Sequence, residues 1–106
     1  MPLPAIYFAV IRRSIMQTNN AFVLREIFGK YLLIPTRFNE VGNEIISLNE
    51  IGSIIWKLAS TGLQKEEIIK RIDIMYCLEN GSVEESAVDA FIDTLCEKSL
   101  LYNKEA

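Results

Sequence analysis

The hydrophobic pattern of this chain changes period once, near Ser47, and that change restricts the fold more than any other feature. Before it, β-branched and aromatic residues come in short runs. Phe22–Ile27 is β-prone, Gly29 stands where a tight turn needs it, and Tyr31–Ile34 resumes the run. Pro35 has no amide proton to give a ladder, so it closes that strand or lies on an edge. Thr36–Asn43 is polar and ends in the turn signal Gly42-Asn43, after which Glu44-Ile45-Ile46-Ser47 reads as a third, short strand. Links of hairpin length predict an antiparallel meander within about residues 21–47.

After Ser47 the apolar spacing becomes helical. Ser47-Leu48-Asn49-Glu50 fits a capping box, with Ser47 as the cap, and Leu48, Ile51, Ile54, Ile55 and Leu58 follow at steps of three and four. Trp56 lies beside this stripe and reads as core or its rim. Gly62 suits a left-handed helix end. A second helix over about 64–76 has Glu66 and Glu67 in its first turn, where the dipole favours them, and an inner face of Ile68, Ile69, Ile72 and Met75. Asn80-Gly81 breaks the chain, and Ser82-Val83-Glu84-Glu85 opens a third helix to about residue 98, with Val88, Phe91, Ile92 and Leu95 inward. Ile54 and Phe91 are expected in the core. Leu100-Leu101 is expected to fold back onto it. The fold class is therefore α+β: a three-stranded antiparallel sheet followed by three helices.

Charge and composition narrow the function. At 106 residues and half apolar, the chain makes one compact domain without needing disulfides or metal. Arg12 and Arg13 give residues 1–20 a local +2, so residues 21–106 carry 9 bases against 14 acids, or −5. Such a domain is poorly built to neutralise phosphates, and nucleic acid is disfavoured. There is no histidine, no Gly-rich phosphate loop and no nucleophile set beside a base, so no catalytic residue, metal or cofactor is expected. Cys77 and Cys96 read as reduced thiols of a cytoplasmic protein. The run Ala5–Ile11 has its arginines after it, the reverse of an export signal, and is too short for a bilayer, so no membrane role is expected. Residues 1–20 are read as an extension of unclear role. Translation starting at Met16 is one explanation, and deletion of residues 1–15 is then expected to leave a folded domain.

Three short strands, then SLNEIGSIIWKLASTGLQKEEIIKRI, then a helix ending FIDTLCEKSLL, resemble the PqqD-like family. These are small winged-helix domains that recognise precursor peptides of ribosomally made natural products. Leu48-Asn49-Glu50, Ile55-Trp56, Gly62, Glu66-Glu67-Ile68, Phe91, Leu95 and Leu100-Leu101 carry the resemblance, with FVLREIFGKYLLIPT as the opening pair of strands, over about residues 21–102. The sequence departs from the family pattern at Ser99, where a glycine usually precedes the paired leucines, and in residues 1–15, which have no counterpart.

The resemblance implies a non-catalytic, chaperone-like module. It would hold a precursor's leader peptide and present it to a modifying enzyme, such as a radical-SAM maturase. The leader would add as a strand to the third strand, beside the last helix. Expected contacts are Glu44, Ile45, Ile46 and Ser47 on the sheet and Ala87, Phe91, Thr94 and Leu95 on the helix, where Ala87 and Thr94 are small enough to admit another backbone. On residues alone a short edge strand reads first as a device against aggregation, and the family resemblance reverses that order. Glu85, Asp89, Asp93 and Glu97 form a four-residue acidic repeat, which is a solvated face or an attractor of a basic partner. The alternative function is a winged-helix DNA-binding transcriptional regulator, using Lys65, Lys70 and Arg71 of the second helix. The oligomeric state stays open.

Overall fold

The computed structural model describes residues 14–36 and 44–105. In chain order the elements are β1 (Ser14–Thr18), β2 (Phe22–Ile27), β3 (Lys30–Pro35), β4 (Ile46–Leu48), α1 (Glu50–Ser60), α2 (Lys65–Tyr76), α3 (Val83–Glu97) and β5 (Leu101–Glu105). The expected meander is present: β2, β3 and β4 form an antiparallel sheet in that order, with Phe22 opposite Pro35 and Tyr31 opposite Leu48. Phe28 and Gly29 both have positive φ, +50° and +75°, as the tight β2–β3 turn demands. Pro35 closes β3, as its missing donor requires. The Gly42-Asn43 turn lies outside the described residues.

The third strand sits later than the sequence placed it. Glu44 and Ile45 precede it, and Ser47 is in mid-strand rather than at the helix cap. Asn49 caps α1 instead, its side-chain oxygen accepting from the Gly52 amide at 2.7 Å. Either oxygen could serve a cap, and the ladder decides: pairing Ser47 with Leu32 keeps its backbone extended, which moves the helix start two residues on.

A second, two-stranded sheet was not foreseen. β1 pairs antiparallel with β5, from Ser14 opposite Glu105 to Thr18 opposite Leu101. Met16, fully buried, donates its amide to the Leu63 carbonyl at 2.8 Å, and Asn19 ties the strand to the end of α3 through its amide to Leu100 O and its side chain to Ser99 O. Residues 14–18 are thus part of the packed domain. Residues 1–13 lie outside the described region.

The core lies where the helices meet both sheets: Leu33, Leu48, Ile55, Trp56, Ile68, Ile72, Ile92 and Leu95, closed by Met16, Leu100 and Leu101. The face of α1 is turned slightly from the expected stripe. Ile55, Trp56 and Ala59 are buried, while Ile51, Ile54 and Leu58 are half-covered. Met75 is a correction, being 54% exposed. Ile68 and Ile72 are fully buried on the inner face of α2, whereas Met75, in its last turn, is left largely uncovered. Phe91 is half-buried rather than central.

Candidate functional site

Among the described residues β4 pairs with β3 alone, which leaves the amides and carbonyls of its other edge without a strand partner there. Among the described residues no backbone hydrogen bond reaches that edge. α3 runs alongside, and between the two lies a groove of about 200 Å³. Its sheet wall is Ile46, Ser47 and Leu48, its helix wall Phe91, Thr94 and Leu95, and Asn49, Lys98 and Leu100 complete its lining. The helix wall follows from spacing: residues 91, 94, 95 and 98 share one face of a helix. Thr94 satisfies its hydroxyl internally on the Ala90 carbonyl at 3.0 Å, which leaves a small, mostly apolar face toward the groove.

The sequence-derived contacts therefore divide. Ile46, Ser47, Phe91, Thr94 and Leu95 come together in the groove. Glu44 and Ile45 are exposed and precede the strand. Ala87 lines a separate, largely apolar hollow of about 410 Å³ on the other side of Phe91, with Ile51, Tyr76 and Leu78 among its walls. Sequence reasoning missed Lys98, the one charged group that the described residues bring to the groove wall. It also missed Gly52, where an added Cβ would stand 3.2 Å from the Phe91 ring. The signal for Lys98 was its four-residue step from Thr94. Gly52 gave none, because its role is a contact between two helices.

Electrostatics correct the acidic ridge. Lys65 of α2 forms ion pairs with Asp89 and with Asp93, the latter at 2.8 Å. Burial works against the lysine's charge, but hydrogen bonds and attraction from the two aspartates outweigh it and hold the ammonium above the ordinary lysine range. One lysine thus engages two of the ridge's carboxylates and offsets one of its four charges within the molecule. The same pairing occupies the first of the three cations that a DNA-binding α2 would need. At the far end of α3, Glu85 accepts from the Gly81 amide at 2.8 Å. A hydrogen bond shared with Asp73 raises the Asp73 carboxyl and lowers that of Glu85.

Among the described residues the groove offers backbone hydrogen bonding along β4, apolar contact, and the ammonium of Lys98. Among the described residues no three His, Cys, Asp or Glu side chains gather to hold a metal ion, and no helix is long and apolar enough to cross a membrane.

No curated protein and no solved structure matches the chain. A family model described as coenzyme PQQ synthesis protein D (PqqD) matches residues 35–101. That span runs from the end of β3 through β4, Phe91 and all three helices to the first residue of β5. It is more than half of the sequence, and the chain belongs to the PqqD family.

Proposed function

We propose that this protein holds an extended precursor peptide on the free edge of β4 and presents it to the enzyme that modifies it. Membership of the PqqD family supports an accessory, peptide-pathway role. The observation that carries the finer reading is the groove itself, an unpaired strand edge facing the small and apolar face of α3. A peptide strand there would take its affinity from main-chain hydrogen bonds with β4 and its selectivity from side chains packed on Phe91, Thr94 and Leu95. Lys98 in the groove lining favours a carboxylate on the peptide, which sets register. A radical-SAM maturase is the modifying enzyme we propose. The free thiols, Cys77 exposed and Cys96 half-buried, fit work in the reducing cytoplasm.

The test is titration of isotope-labelled protein with a short precursor peptide encoded beside its gene, and then with duplex DNA. Amide shifts are expected along Ile46–Leu48 and at Phe91, Thr94 and Leu95, with only mild salt dependence. Thr94→Arg fills the groove from an exposed position and is expected to weaken binding at least about tenfold without lowering the melting temperature. Shifts confined to α2, or tight and salt-sensitive DNA binding, would reject the proposal.

A further inference from the structure

The β2–β3 turn contains the least expected residue of the fold. Phe28 is 100% exposed and has a φ of +50°. A bulky side chain in the left-handed region is strained, and an aromatic ring standing wholly in water forgoes its burial. Asparagine or aspartate is the usual partner of Gly29 in such a turn. Phe28 is thus disfavoured twice in an isolated chain, by conformation and by solvation, and such outliers point toward function.

A complementary hollow lies at the same end of the molecule. Because Tyr31 faces Leu48 across the ladder, the β2–β3 turn and the C-terminal end of β4 share one end of the sheet. The hollow beside Ala87 starts there, at Asn49 and Ile51, and its volume of about 410 Å³ exceeds that of an aromatic side chain. Exposed apolar residues flank both features: among the described residues Ile27 and Phe28 are at the turn, Tyr76 lines the hollow, and Val83 stands one helical turn before Ala87. Charges also match. Arg25 and Lys30 outnumber Glu26 around the turn. Glu84 lines the hollow, Glu50 is bonded to the Tyr76 hydroxyl, and no Lys or Arg occurs from Ile72 to Glu97.

We propose that a second copy of this chain covers this surface, each copy inserting Phe28 into the hollow of the other about a two-fold axis. A two-fold interface needs both knob and hole on one patch, and this end of the molecule has both. Two inserted rings bury roughly 150–250 Å² each, which places the contact at or below the small end of specific interfaces, about 1,000–1,200 Å². The dimer is therefore weak and dissociates on dilution. The hollow borders the peptide groove through Asn49 and Phe91, but its occupation by Phe28 is read from association alone and does not rest on the peptide-binding proposal.

Sedimentation equilibrium of the full chain, at concentrations rising to about 1 mM, is expected to show a reversible monomer–dimer equilibrium. Phe28→Asn creates the favoured Asn-Gly turn, so it is expected to keep or raise the melting temperature while weakening association at least about tenfold. Ala87→Trp, which fills the hollow from an exposed helix position, is expected to weaken association equally. A wild-type monomer throughout the range would overturn the proposal. So would assembly beyond dimers, or a dimer that neither substitution weakens.

Discussion

Ser99→Gly is expected to stabilise the protein, and the reason lies in how α3 stops. After Lys98 the chain reverses in a Schellman turn: the Leu100 amide donates to the Leu95 carbonyl and the Ser99 amide to the Cys96 carbonyl, both at 3.0 Å. Leu95 and Leu100, the residues that meet across such a turn, are both buried. The turn needs a left-handed residue at its corner, and Ser99 supplies it with a φ of +59°. For an L-residue that conformation costs about 1–2 kcal/mol, whereas glycine adopts it freely. Glycine in turn gives the unfolded chain about 0.4–1 kcal/mol more entropy to lose. The net gain is about 0.5–1 kcal/mol, which raises the melting temperature of a domain this size by about 3–6 °C. Nothing is forfeited elsewhere, since the side chain of Asn19 bonds to the Ser99 carbonyl, which glycine keeps. Thermal unfolding followed by circular dichroism measures the shift. Ser99→Val, β-branched at a positive φ, should move it in the opposite direction. A destabilised Ser99→Gly protein, or equal stability for glycine and valine, would refute the strain argument.

Other outcomes follow from the same structure. Met16→Ala should cost about 2–5 kcal/mol by opening a cavity at the junction of β1 and the core, read as a lower urea midpoint. A deletion ending at Arg13 spares β1, whereas one that runs through Thr18 should abolish cooperative unfolding, a contrast that calorimetry detects. Lys65→Ala leaves Asp89 and Asp93 uncompensated, and a loss of about 0.5–1 kcal/mol that shrinks in high salt is expected in denaturant titrations. The hydrogen bond to Glu50 raises the Tyr76 hydroxyl above the ordinary tyrosine range. Its contribution is full below the unfolded tyrosine value and is lost as pH climbs through the folded one, so Tyr76→Phe should flatten the alkaline limb of a stability–pH curve.

Much of the architecture was legible in the order of residues because it depends on local chemistry. The single change of period near Ser47 specified a sheet followed by helices. Pro35, Gly62 and Ser82 marked ends and caps through properties that each residue carries alone: a missing donor, freedom at positive φ, a hydroxyl that accepts the Glu85 amide. Phe91, Thr94 and Leu95 could be placed on one helix face by spacing. That this face meets the third strand came from the family resemblance, and the groove between them fits it.

Only the tertiary structure decided the rest, wherever two distant segments had to meet. Met16 and Leu101 are 85 positions apart, and nothing in SIMQT announces a strand until LYNKE lies beside it. Asn49 rather than Ser47 caps α1 because β3 claims Ser47. The acidic repeat of α3 looked unopposed because its counter-ion, Lys65, lies on another helix. Met75 kept the period of a core residue but not its burial, while Ile68 and Ile72 of the same helix are fully covered. Periodicity says which side of an element is apolar; whether another surface arrives to bury it depends on the packing of the whole chain.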